Sequence, residues 1–117
     1  MLASADAIVR SVLSQHLRPV SRIDPATWAD RHRVVIPPSP VPGDWKTARV
    51  PYMREPLMMS VDPRVRRVLL MWATQLGKTE FLINRFLWAV DQDPYPAMWV
   101  MHSKEEVREF SAQRIIP

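Results

Sequence analysis

Val68-Leu69-Leu70-Met71 leads through Trp72-Ala73-Thr74-Gln75-Leu76 into Gly77-Lys78-Thr79, and a helical apolar pattern follows at once. This stretch constrains the fold more than any other. An apolar run of strand length must turn at one of the chain's two glycines and open a helix directly behind it. Buried strand, Gly-Lys-Thr turn and helix form the layout of a phosphate-binding P-loop. The amides of such a turn and the positive end of the helix surround a polyphosphate. Lys78 supplies a point charge for the outer phosphates, and the Thr79 hydroxyl completes a Mg²⁺ shell. The common pattern G-x-x-x-x-G-K-[ST] would place its first glycine at Trp72, so the strict form is not met. A plain strand-to-helix turn, with Gly77 accepting an awkward backbone angle, is the alternative use of the same residues.

The surroundings read as α/β. Val68 to Trp72 predicts one strand and Ala97-Met98-Trp99-Val100-Met101 a second, neither with apolar–polar alternation, as expected of strands covered on both faces. Between them, Thr79 to about Asp91 predicts a helix in which only Glu80, Asn84 and Arg85 interrupt the apolar surface, and a turn at Asp91-Gln92-Asp93-Pro94-Tyr95-Pro96 follows. Strand, helix, strand implies a right-handed βαβ crossover with parallel strands. Ser103 with Glu106 forms a capping box that opens a last helix reaching about Arg114. Two parallel strands alone leave unpaired edges, so the pattern predicts the beginning of an open sheet.

The first half differs. Ala5, Ile8, Val9, Val12, Leu13 and Leu17 recur at helical spacing over residues 4–17, with Ser4 as N-cap and Pro19 as the stop, and a single stripe of this kind has to dock on something. A short helix from about Thr27 to Arg31, opened by Pro25, carries Trp28. Residues 34–63 hold seven of the twelve prolines, which disfavours regular helix or central strand and predicts an extended meander. Trp45, Tyr52, Met53, Leu57, Met58 and Met59 give that meander something to pack. Three regions result: a helical segment 1–33, a proline-rich segment 34–67 and a βαβ unit 68–117.

Composition narrows the chemistry. At 117 residues the chain forms one domain at most. With no cysteine it has no disulfide, thiolate zinc site or cysteine nucleophile. His16, His32 and His102 lack metal-ligand spacing and read as surface or packing residues. No run has transmembrane length and no signal-peptide pattern is present, so a cytoplasmic location is expected. The net charge of +4 is compatible with a nucleic-acid partner. Arg64, Arg66 and Arg67 read as the solvated start of a strand, with a DNA-facing role left open.

Taken in order, Trp28, Pro42-Gly43-Asp44-Trp45, Pro51-Tyr52-Met53-Arg54-Glu55-Pro56, Gln75-Leu76-Gly77-Lys78-Thr79-Glu80, Asp93-Pro94-Tyr95-Pro96, Phe110-Ser111 and Arg114-Ile115-Ile116-Pro117 resemble the start of tailed-phage terminase large subunits, nearest the lambda-type packaging ATPases. The resemblance runs from about residue 28 to the end, and a Gln-x-Gly-Lys-Thr loop without its first glycine is a known variant there. It implies the N-terminal part of an ASCE-type P-loop ATPase, the ATP-driven motor that threads phage DNA into procapsids. Viral double-stranded DNA, a terminase small subunit, the portal or procapsid, and the rest of the terminase chain or a second copy become the expected partners, in host cytoplasm. By motif, Gln75, Leu76, Gly77, Lys78, Thr79 and Glu80 hold ATP and Mg²⁺, the metal through Thr79. Thr74 occupies the place where many such motors carry an arginine. Tyr52 and Arg54 are candidate adenine contacts, although composition favours Tyr52 as a packing anchor. The strand Ala97–His102 and Ser103 fall where helicase-like ATPases carry a second motif linked to DNA.

Hydrolysis in such enzymes needs an acidic pair after a further strand, one residue for Mg²⁺ and one for the attacking water. Glu80, Asp91, Asp93, Glu105, Glu106 and Glu109 are the acidic residues after Lys78, and none follows a strand of that kind. The expectation is therefore an N-terminal fragment that binds nucleotide without turning it over, lacking nuclease carboxylates as well. A non-catalytic interaction module with Lys78 incidental, or a piece of another P-loop translocase or helicase, are the other readings.

Overall fold

The computed structural model describes residues 4–16 and 22–115. Helix α1 spans Ala5–His16 and α2 spans Pro25–His32. Strands β1 (Val34–Val35) and β2 (Gly43–Asp44) pair antiparallel, Val34 opposite Asp44 and Val35 opposite Gly43. Two short 3₁₀ turns, Thr47–Arg49 and Pro51–Met53, lead into α3 (Arg54–Met59). Helix α4 covers Lys78–Gln92, and α5 (Lys104–Phe110) runs into a π-helical turn at Ser111–Ile115.

One core joins α2, β1, α3 and α4. Ala26, Trp28 and Ala29 of α2 meet Val35, Trp45, Met53 and Leu57, and across from them Phe81, Trp88 and Ala89 of α4. The last turn of α4 is tied down by polar contacts. Trp88 Nε1 donates to the Ile23 carbonyl at 2.7 Å, and Trp28 Nε1 to Asp91 Oδ2 at 2.7 Å. The Ile23 amide donates to Gln92 Oε1 at 3.3 Å, and Arg22 pairs with Asp93 at 2.8 Å. The turn Asp91–Asp93 therefore serves as an anchor for the segment before α2.

Helix α2 starts two residues earlier than its spacing suggested because Asp24, in extended conformation, accepts from the Thr27 amide at 2.9 Å. Burial pushes the Asp24 carboxyl up, but its bonds with Thr27 and the charge of Arg54 outweigh this and leave it below the ordinary value of 3.8.

The proline-rich segment is more regular than expected. Pro51 opens a 3₁₀ turn, and Pro56 stands third in α3, in the first turn, where a missing amide removes no helical hydrogen bond. Proline thus permits a short helix that its density in sequence argued against. In α1 the stripe Ile8, Val9, Val12 and Leu13 is 47–54% exposed, so among the described residues it finds no cover. Leu17 and Pro19 lie outside the described residues.

The expected parallel sheet is not formed. Among the described residues the only sheet is the antiparallel β1–β2 pair, and 68–72 and 97–101 are extended without a β partner. Each run instead lays one face on the core and α4. Val68, Leu70 and Trp72 turn inward, while Leu69 and Met71 are 77% and 95% exposed. Trp99 meets Phe86 edge-on at 6.0 Å and stacks on Phe110 at 4.9 Å, while Met98 and Val100 are 87% and 74% exposed. A strand is defined by a neighbouring backbone about 4.8 Å away, and side-chain packing on a helix does not supply one. Both runs therefore have one covered face where their composition predicted two. At α5, Ser103 Oγ accepts from the Glu106 amide at 3.2 Å, but the Glu106 carboxylate lies 2.8 Å from His102 Nδ1, so the capping box is made on one side.

Candidate nucleotide site

The loop between Trp72 and Lys78 takes its shape from two left-handed residues. Gln75 has φ 61° and Gly77, the N-cap of α4, has φ 82°. A Cβ on Gly77 would lie 3.1 Å from Met53 Cε, so glycine meets both a backbone demand and a close approach. Tyr52 Oη donates to the Leu76 carbonyl at 3.0 Å, and its ring meets Trp72 edge-on at 5.3 Å. Trp72 in turn meets Phe81 edge-on at 6.1 Å, which fixes the start of the loop against the first turn of α4. The 3₁₀ turn that carries Tyr52 and Met53 is thus a brace for the loop.

Lys78 bends back over the loop. Its Nζ donates to the Trp72 carbonyl at 2.7 Å and the Ala73 carbonyl at 3.0 Å, which places an ammonium across the bend. Thr74 and Gln75 form a turn, the amides of Gln75, Gly77, Lys78, Thr79 and Glu80 show no acceptor among the described residues, and the first helical bond is from Phe81 to the Gly77 carbonyl at 2.9 Å. Free amides, a helix N-terminus and an ammonium in one bend fit a polyphosphate. Among the described residues no group of three His or acidic side chains could hold a metal ion, so a Mg²⁺ there would depend on the exposed Thr79 hydroxyl and the nucleotide's own phosphates.

A cavity of about 230 Å³ opens beside the loop. Gln75, Leu76, Gly77 and Glu80 form one wall, and Tyr52, Met53, Trp45, Val41 and Pro40 contribute most of the apolar remainder. Thr79 lines a second hollow, of about 460 Å³, with Trp99, Met101 and His102. The two hollows divide the residues that the motif grouped together. Thr74 is exposed on the loop, and Arg54 is exposed on α3, near Asp24 and outside the cavity wall. Of the two candidate base contacts, Tyr52 alone lines the cavity.

Glu80 is held away from solvent by two guanidinium groups. Arg33 Nη2 lies 2.8 Å from its Oε2 and Arg114 Nη1 lies 3.2 Å from its Oε1. Arg33 also donates through Nε to Asn84 Oδ1 at 3.1 Å and through Nη1 to the Val34 carbonyl. Turning its carbonyl to Arg33 leaves the buried Asn84 Nδ2 without a partner. Burial pulls the Arg33 guanidinium below its ordinary value, and the neighbouring Glu80 charge offsets part of that fall. Arg33 was not legible as a site residue: it lies forty-odd positions from the loop, in an Arg-His-Arg run with the composition of a solvated helix end. Arg64, Arg66 and Arg67 are all exposed, with Arg64 bound to Asp62 at 2.7 Å.

The family described as phage terminase large subunit gpA, ATPase domain, matches residues 39–117. A search of curated proteins finds no match, and one of solved structures finds none either. The matched span contains the loop, its Tyr52 brace and both flanking apolar runs, and it covers about two thirds of the sequence. The chain belongs to the phage terminase large subunit gpA ATPase domain family, whose members serve as DNA-packaging motors.

Proposed function

We propose that this chain is the nucleotide-gripping N-terminal portion of such a motor, with Gln75, Leu76, Gly77, Lys78 and Thr79 around the phosphates of ATP and Thr79 on its Mg²⁺. The observation that carries this reading is the Lys78 ammonium bridging the Trp72 and Ala73 carbonyls over a bend that runs into the free amides at the start of α4. A bound ATP supplies the anhydride whose cleavage drives a motor. The chain's own residues hold and orient it: Lys78 exchanges two carbonyl partners for phosphate oxygens, and the cavity of about 230 Å³ beside Tyr52 takes the base. Viral DNA, the small subunit, the portal and further terminase strands are the partners this reading implies, in the host cytoplasm.

Hydrolysis is not expected of these residues alone. Glu80 is neutralised by Arg33 and Arg114, Asp91 and Asp93 belong to the opposite end of α4, and Glu105, Glu106 and Glu109 belong to α5. None is free beside the loop to position a water. Titration calorimetry with ATP·Mg²⁺ tests the reading directly. Binding in the micromolar to millimolar range is expected, falling at least about tenfold in Lys78→Ala through loss of a charge-assisted contact. Equal binding by both proteins, or binding by neither, favours a non-catalytic interaction module.

A further inference from the structure

We propose that Arg33 is a positioning residue for this nucleotide loop, neutralising and pinning Glu80 so that the carboxylate next to Thr79 does not repel a bound polyphosphate. The inference rests on the nucleotide reading above. Glu80 shares a cavity wall with Gln75, Leu76 and Gly77, so its charge lies close to the space that the loop borders. An unpaired carboxylate there would oppose an anion through a medium of low effective dielectric. Instead each of its oxygens has its own guanidinium, at 2.8 Å and 3.2 Å. The side chains of Arg33, Glu80 and Arg114 are only 6%, 17% and 25% exposed, so solvent screens the trio weakly.

Position adds to charge. Arg33 follows α2 directly and precedes β1, and its guanidinium reaches Val34, Glu80 and Asn84 together. Glu80 and Asn84 are one helical turn apart on the same face of α4. One planar group thus ties β1 to the first two turns of the helix whose N-terminus carries the free amides. Lysine offers a single point charge and cannot reproduce that fork.

Binding of ATPγS·Mg²⁺ to the whole chain separates the possibilities, measured for wild type, Arg33→Ala, Glu80→Gln and the double variant, each with a thermal melt. Arg33→Ala is expected to weaken binding about tenfold by exposing the carboxylate's charge to the phosphates. Glu80→Gln is expected to bind as well as wild type or tighter, and adding it to Arg33→Ala is expected to restore affinity to within about threefold of wild type. Loss of affinity in Glu80→Gln overturns the proposal, because a purely structural clamp, or a carboxylate that itself contacts ligand, predicts that loss. So does unchanged affinity in Arg33→Ala. Should Arg33→Ala fail to fold, Glu80→Gln alone still decides. Wild type that binds no nucleotide removes the underlying reading as well, whereas binding that is sensitive to Lys78→Ala but not to Arg33→Ala removes only this proposal.

Discussion

Gly77 combines a φ of 82° with the 3.1 Å approach of Met53 Cε to the place a Cβ would occupy. The methionine end can give way, so the backbone angle dominates the cost of substitution. Gly77→Ala should destabilise the fold by about 1–2 kcal/mol, seen as a lower denaturant midpoint at unchanged slope. Gln75, at φ 61°, pays a similar backbone cost already, and Gln75→Gly should be neutral or stabilising in the same measurement. Tyr52 tests the brace: Tyr52→Phe removes only the bond to the Leu76 carbonyl, about 0.5–1.5 kcal/mol, and should weaken ATP binding more than it lowers the melting temperature. The motif spacing singled out Gly77, Lys78 and Thr79. It could not show that Gly77 and Thr79 line different hollows, because the path of the chain at a left-handed bend depends on torsions that residue identity leaves open.

At the scale of elements, α4 is held at both ends by polar contacts: Glu80 and Asn84 to Arg33 at its start, Trp88, Asp91 and Gln92 to residues 23–28 at its finish. Helix α2 depends on its cap, and Asp24→Ala should cost about 0.5–2 kcal/mol. Acid acts on the same contacts. The Asp91 carboxyl is held below its ordinary 3.8 by the Gln92 amide and the Trp28 indole, and Asp24 is also lowered. Because both values are depressed in the folded state, their contribution is complete above about pH 3.8 and is lost as pH falls through the folded values. Fluorescence of Trp28 and Trp88 should report loosening of the α2–α4 contact there, and Asp91→Asn should flatten that dependence. Helices α1 and α4 were readable from their apolar residues, although only α4 buries them, and α3 was not, because its proline argued against a helix. The sheet was not, since its hydrogen bonds require a second backbone.

For the molecule as a whole, the outward faces of 68–72 and 97–101 dominate. Leu69, Met71, Met98 and Val100 are between 74% and 95% exposed on backbone without a β partner. Apolar edges of this kind associate, so sedimentation velocity should show concentration-dependent self-association, reduced in Met71→Lys/Met98→Lys. A monomer that unfolds cooperatively at all concentrations would contradict the view of these runs as parts of a larger sheet. The sequence by itself determined helices α1, α2, α4 and α5, the turn chemistry at Gly77, the lysine and threonine behind it, and the family, because each depends on residues close together in order. Tertiary structure alone decided that the proline-rich segment braces the loop through Tyr52 and Met53, that Arg33 claims Glu80, and that the two apolar runs lean on α4 rather than on each other. Those outcomes depend on contacts between distant positions, which are chosen by the packing free energy of the whole chain and leave no local pattern.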